Sequence, residues 1–425
     1  MSITETRILE YIDQNKQVLF DYLISLIGFD SQNTIHTGKE LACQKFIYDS
    51  FRSLDIPAEM YTVKDVEDAE SHPDFEHGRD AESRPNVTAK LTGKAINPKK
   101  LMLAAHTDTM PSGDLSEWKT DPFTGTIKDG KLIGLGVSDD KCGIAVSWFI
   151  LKMFNELGVE LAHDLLATAY SDEEYCGGNG SLIACLKYPC DLYINLDGGD
   201  FSIMGTALGG SIYQIEVYSN GSTDTAEPIV DALYVIRKAL DKFAERCRSR
   251  LEANQFYRGT ERARSAYRLL EFGCGDFGVN LDHGRLRVTV YTDREESDLQ
   301  SELDSLFTTK ILPYLQDHCL ESSGFIHIFR FMRYVPMQEN NRDITAFREI
   351  AQEFSNKPIE VLGATLSDLS IYMKYGSPNS FNFGILRDFK FEGGAHQPNE
   401  SISLDEFLAM TKTLAIFAAR WCEAS

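Results

Sequence analysis

None of the nine cysteines in this 425-residue chain forms a Cys-x-x-Cys pair, and the odd count shows no disulfide framework. Scattered cysteines of this kind point to reduced thiols and a cytoplasmic location. Cys142 and Cys176 lie beside the polar residues discussed below and are expected to pack rather than to bind metal. No apolar run approaches the roughly 20 residues that span a bilayer. The start, Met1-Ser-Ile-Thr-Glu-Thr-Arg, lacks the basic, apolar and small-residue succession of a secretory signal. Positive charge is scarce, with 42 Lys and Arg against 64 Asp and Glu and a net charge of −22. That balance argues against nucleic acid or an anionic membrane as the main partner and reads as a soluble, self-repelling surface; the partner expected from the motifs below is a small-molecule substrate. Neither an internal repeat nor a low-complexity segment is present.

What is present is a globular composition, 43% hydrophobic, in a chain too long for one ordinary domain. Apolar periodicity predicts helices over 5–28 and 39–54, and strands over 58–63 and 86–91. The intervening polar loop, Lys64 to Pro85, carries His72 and His77 and reads as solvated surface. Leu101 to His106 is an apolar run ending in His106-Thr-Asp108. A hairpin is expected at Asp129-Gly130. The Gly134-Leu-Gly-Val-Ser-Asp139 turn then leads into an apolar helix, Ile144 to Phe154. Strands at 164–170 and 192–196 end in Asp172-Glu173-Glu174 and Asp197. Strands alternating with helices imply a mainly parallel α/β sheet whose strand ends face one edge.

The pattern changes after residue 205. A strand (211–218), a helix (228–251), two strands (269–273, 285–292), a helix (296–315) and a strand (324–332) follow in the β-α-β-β-α-β order of a ferredoxin-like unit. A helix (344–354), a strand (380–384) ending near His396, and a last helix from Leu404 to Trp421 complete the chain. The expected organisation is a catalytic domain in two parts, 1–205 and 336–425, with an inserted α+β unit, 206–335.

The strand ends collect His106, Asp108, Asp139, Glu173, Glu174, Asp197 and His396. Burying so many carboxylates without cations is prohibitive. Two divalent ions, one carboxylate between them and an imidazole and an acid on each, would offset the charge. A carboxylate left free beside them could take a proton from water. This is the logic of two-metal hydrolases, with the ions expected roughly 3.5–4 Å apart.

The same stretches resemble a known family, the dinuclear-zinc amidohydrolases that include aminoacylase, acetylornithine deacetylase, succinyl-diaminopimelate desuccinylase, di- and tripeptidases and glutamate carboxypeptidase. The matching pieces are His106-Thr-Asp108, Trp118-Lys-Thr-Asp-Pro-Phe-Thr-Gly125, Asp129 through Lys141, Asp172-Glu-Glu-Tyr-Cys-Gly-Gly178, Asp197 and His396-Gln-Pro-Asn-Glu400. They span nearly the whole chain in the family's order. The resemblance implies that His106, Asp139 and Asp197 hold one ion and Asp139, Glu174 and His396 the other, with Asp139 bridging. It implies zinc, with manganese or cobalt as substitutes. Asp108 would orient His106, and Glu173 would be the general base. Ser367-Asp368 would line the substrate site. The backbone at Asp139-Asp140 would be unusual, a cis peptide bond among the options. The insert would be a lid and a dimer contact, giving a homodimer or a higher homo-oligomer.

Two departures stand out. Cys142-Gly143 replaces the family's usual Gly-Gly. In the lid, the family's Gly-x-x-x-His segment is replaced by Asn220-Gly-Ser-Thr-Asp224-Thr225-Ala-Glu-Pro228, which has no histidine. His283, read as lying in a site-facing loop, and Asn280 are the candidates to replace that hydrogen-bond donor. The expected activity is hydrolysis of a C–N bond, the amide of an N-acyl amino acid or a small peptide. A carbamoyl, guanidino or aryl-amine bond, or a metal-binding homologue without activity, are the alternatives.

Overall fold

A computed structural model describes the chain except for residues 1, 176, 220–224, 277–278, 365–366 and 388, and without the side chains of 276, 279, 280, 330 and 331. Two compact units are present: Met1–Gly205 together with Met337–Ser425, and Thr206–Pro336.

The first unit is built on an eight-stranded mixed sheet. Its central strands, Asp164–Tyr170, Lys100–His106, Leu192–Asn195 and Phe381–Phe383, are parallel neighbours. Both faces are covered, so Lys100–His106 and Asp164–Tyr170 are buried almost throughout and read as continuous apolar runs. Asn86–Leu91 and then Ala58–Tyr61 extend one side antiparallel, and Ile203–Ala207 pairs antiparallel on the other. Parallel strands end at the same edge, which puts the residues after His106, Tyr170 and Asn195 side by side.

Helix Lys141–Leu157 is buried at 13 of its 17 positions. Ile3–Ile27, begun by a Ser2–Glu5 capping box, and Leu404–Trp421, capped by Ser403, pack against it. Tyr22 stacks on Trp148 with ring centroids 3.7 Å apart. The nine-residue helix Asn179–Lys187 and the strands Ile203–Ala207 and Val361–Ala364 were not anticipated. Each is too short to show a period of its own.

The loop from Lys64 to Pro85 differs from its reading as solvated surface. It contains two 3₁₀ turns, and Asp74 and Arg84 within it are buried. His72 meets Tyr375 edge-on at 4.5 Å, while His77 is exposed.

In the second unit, Gly209–Ser219 is central, flanked by Val279–Thr292 and Phe325–Met332, with Tyr267–Asp276 outermost; all pair antiparallel. Helix Glu227–Ala253 packs on this sheet. The helix expected over 296–315 runs as Glu296–Leu306, a π turn Phe307–Ile311 and Leu312–Asp317. Pro313 has no N–H to donate, so the preceding turn widens instead of continuing regularly.

Candidate functional site

His106 closes its strand fully buried. Its Nδ1–H donates to the backbone carbonyl of Asp108 at 2.9 Å, which leaves Nε2 facing Asp139 Oδ1, also at 2.9 Å. Asp139 comes from the turn before helix Lys141–Leu157, and the Asp139–Asp140 peptide bond is cis. Glu400 braces that turn. Its carboxylate accepts the amide of Gly136 and the amide and hydroxyl of Ser138, each at 2.7 Å, and the amide of Asp139 at 3.2 Å. Gly143 lets the helix start close behind, because a Cβ there would lie 2.6 Å from Asp140 Oδ1 and 2.7 Å from Leu196 Cβ.

Asp139 Oδ2 faces His396 Nε2 at 3.0 Å, and the same nitrogen is 3.1 Å from Glu174 Oε1. Asp197 follows strand Leu192–Asn195. Ligand-type atoms of His106, Asp139 and Asp197 lie within 4.8 Å of one another, as do those of Asp139, Glu174 and His396. Asp139 belongs to both sets.

The electrostatics are those of a crowded anionic pocket. Burial, then the neighbouring Asp139, push the Asp197 carboxyl up to about 8. Burial raises Glu174 as well, with Asp139 adding to it. Glu173 is raised well above the carboxylate range by burial; His106 opposes this, and Asp197, Asp368 and Glu174 add to it. For His396, burial is outweighed by hydrogen bonds to Asp139 and Glu174, and its imidazole rises to about 11. Four carboxylates share this space with two imidazoles. The surplus negative charge, and two sets of imidazole and carboxylate donors with one acid in common, fit two divalent ions.

The Asp108 carboxylate does more than accompany His106. Its nearer oxygen is 3.6 Å from His106 Nδ1. It accepts the amides of Glu173, at 3.1 Å to each oxygen, and of Glu174 at 2.9 Å, and the side-chain amide of Asn33 at 2.8 Å. Behind it lies a buried network that the sequence reading missed. Arg84 donates to Glu40 and, at 2.6 Å, to Asp172; Arg79 donates to the same Asp172 oxygen at 2.8 Å. The only sequence signal was weak: two arginines in an otherwise acidic loop that runs straight into strand Asn86–Leu91.

Asp368 is buried, its carboxyl pushed up to about 7 chiefly by burial. Beside it, Ser367 Oγ accepts from Asn382, whose amide also donates to the Asp197 carbonyl at 2.7 Å. Cys142 is buried against the Asp139 turn, with Sγ 3.5 Å from the Ser138 carbonyl; Cys176 lies outside the described residues. In the second unit, His283 is not in a loop. It sits within strand Val279–Thr292 opposite Tyr218, its ring stacked on that tyrosine at 4.8 Å and its Nε2 3.7 Å from Glu216. Thr225 is exposed and accepts the Glu227 amide at 3.2 Å. Asp224 and the side chain of Asn280 lie outside the described residues.

Comparison with known proteins points the same way. An N-formyl-4-amino-5-aminomethyl-2-methylpyrimidine deformylase of Halalkalibacterium halodurans is 23% identical over 455 aligned residues, covering 99% of this chain and 98% of the relative. A succinyl-diaminopimelate desuccinylase of Polynucleobacter necessarius is 38% identical over 101 residues, 24% of this chain and 26% of the relative. Among solved structures, a tripeptidase of Staphylococcus aureus superposes with a TM-score of 0.69 at 16% identity, covering 96% of this chain and 99% of that one. The dipeptidase Dug1p of Saccharomyces cerevisiae gives 0.66 at 15% identity, over 100% of this chain and 99% of that one. The sequence profile of peptidase family M20/M25/M40 matches residues 102–420, three quarters of the chain. The protein therefore belongs to peptidase family M20/M25/M40 and is a metal-dependent hydrolase of C–N bonds.

Proposed function

We propose that the protein hydrolyses the amide of a small N-acyl compound, an N-acyl amino acid or short peptide or the N-formyl derivative of a small amine, with two divalent ions, zinc in the first instance. His106, Asp139 and Asp197 would hold one ion, and Asp139, Glu174 and His396 the other. The carrying observation is that these two donor sets share Asp139 and lie beside a buried glutamate, Glu173, that belongs to neither. Divalent ions in such a pair supply Lewis acidity toward the substrate oxygen and make water a better nucleophile.

The chain's own residues do the rest. Glu173 is buried beside the two donor sets and belongs to neither. Its carboxylate would therefore be free to take a proton from the attacking water and return it to the leaving nitrogen. Asp108 holds the Glu173 and Glu174 amides, which sets the direction of both side chains. Asp368 is read as lining the substrate side of this pocket.

The N-formyl alternative is favoured by the deformylase relative, which matches along the whole chain. The domains are read as 1–205 with 336–425, and 206–335. A homodimer is proposed through the inserted unit, whose outermost strand carries exposed Leu269 and Leu270. A cytoplasmic location is supported by the eight described cysteines, all free thiols. Among the described residues no helix is long and apolar enough to cross a membrane. The test is an assay panel of N-acetyl, N-succinyl and N-formyl amines and dipeptides with zinc, manganese or cobalt added, alongside metal analysis. Metal-dependent release of amine from one group supports the reading. No turnover across the panel by fully loaded protein sinks it.

A further inference from the structure

Three side chains that neither bind metal nor reach substrate in the reading above hold the segment Asp172–Tyr175 from outside the metal pocket: Arg84 and Arg79 on Asp172 and Asn33 on the Glu174 carbonyl, with Arg79 alone of the three also holding the Tyr175 carbonyl. Arg79 comes from the loop between strands Ala58–Tyr61 and Asn86–Leu91. Its side chain is only 5% exposed. Nη1 donates to Asp172 Oδ1 at 2.8 Å and reaches toward the Glu174 carbonyl at 3.5 Å; Nη2 donates to the Tyr175 carbonyl at 2.7 Å. Asp172 and Tyr175 both have positive φ, 66° and 59°. The two glutamates thus lie between two residues in a region that costs non-glycine residues energy and persists only where neighbours enforce it. A Cβ on Gly177 would lie 1.9 Å from the Asp172 carbonyl, so the turn is also sterically closed there.

The loop that delivers Arg79 is itself anchored. The Asp80 amide donates to the His36 carbonyl at 2.8 Å. Glu76 and Asn179 exchange two hydrogen bonds, at 2.8 and 3.0 Å. Asn33 adds a bond to the Glu174 carbonyl at 3.2 Å. The amides of Glu173 and Glu174 point to Asp108, and the carbonyls of Glu174 and Tyr175 point to Asn33 and Arg79. The two peptide planes that flank Glu173 are therefore fixed by Asp108, and the two that follow Glu174 by Asn33 and Arg79, so Arg79 reaches Glu173 from both ends of the turn, through Asp172 before it and Tyr175 after it.

We propose that Arg79 is a positioning residue: its guanidinium, through Asp172 and the Tyr175 carbonyl, aims the Glu173 carboxylate. This rests on the reading of Glu173 as the group that carries the proton. A guanidinium suits the task because its planar fork serves a carboxylate and a carbonyl together, which an ammonium cannot do in one geometry.

The experiment compares Arg79→Lys, Arg79→Ala and Glu173→Gln with the wild type in holoenzyme of measured metal content, with Lys64→Ala, an exposed residue of the same loop, as the control. Arg79→Lys keeps the charge beside Asp172 and the fold. It is expected to bind metal fully, to keep KM, and to lose about 10- to 100-fold in kcat, the usual range for groups that orient a site. Millimolar methylguanidinium is expected to restore part of the kcat of Arg79→Ala but none of that of Glu173→Gln. Wild-type kcat per bound metal in Arg79→Lys overturns the proposal, and so does activity lost only in proportion to lost metal. If Glu173→Gln stays active, the reading of the base fails. If Glu173→Gln loses its turnover and Arg79→Lys keeps wild-type kcat per bound metal, only the positioning role fails.

Discussion

Asp108 Oδ2 accepts the backbone amide of Glu174 at 2.9 Å, so the residue beside one imidazole also fixes the segment that carries two glutamates. Replacing that oxygen by an amide NH₂ in Asp108→Asn would set donor against donor. We expect Asp108→Asn to fold and to lose about 10- to 100-fold in metal affinity or turnover, as do other groups that orient ligands. Metal titration by calorimetry and kcat on the loaded protein check this. Unchanged values in both would remove Asp108 from the mechanism.

Glu173 and Glu174 are adjacent but differently placed: Glu174 faces His396 at 3.1 Å, while Glu173 belongs to neither donor set. Glu173→Gln should retain both metals and lose roughly 10² or more in turnover, the scale of general acid–base catalysis. Glu174→Gln should first lose metal. Elemental analysis beside kinetics separates the two, and the reverse pattern would exchange their roles.

Glu400 satisfies three backbone amides and one hydroxyl at the Asp139 turn. Glu400→Ala leaves these buried donors without an acceptor, and each such loss costs about 1–3 kcal/mol. We expect a destabilisation of several kcal/mol, with Glu400→Gln milder because one oxygen remains. Denaturant unfolding measures it; a shift below about 1 kcal/mol in Glu400→Ala would contradict the bracing role.

Removing metal should abolish turnover and lower the melting temperature, because four neighbouring carboxylates lose their counter-charges. Adding a divalent ion back at about 100 times its Kd should stabilise the fold by roughly 2.7 kcal/mol per site. Differential scanning calorimetry with and without chelator reads this directly. Identical melting in both would argue against ions at these residues.

The sequence alone determined the features that depend on neighbours along the chain. A short apolar run bounded by turn residues reads as a buried strand, and His106, Glu173, Glu174 and Asp197 were legible because each lies at the end of such a run. Parallel strands share an end, so their gathering could be anticipated before any coordinates. The tertiary structure decided what depends on distant partners. Arg79 and Asp172 lie 93 positions apart, and Glu400 and Gly136 lie 264 apart. Nothing local distinguishes a buried arginine from a solvated one, which is why the Lys64 to Pro85 loop read as surface. Likewise, the family resemblance assigned the Asp108 side chain to His106 alone. Only the register of Lys100–His106 against Asp164–Tyr170 brings its carboxylate under the Glu173 and Glu174 amides. Burial and hydrogen bonding of a charge are properties of the assembled chain, and local sequence does not encode them.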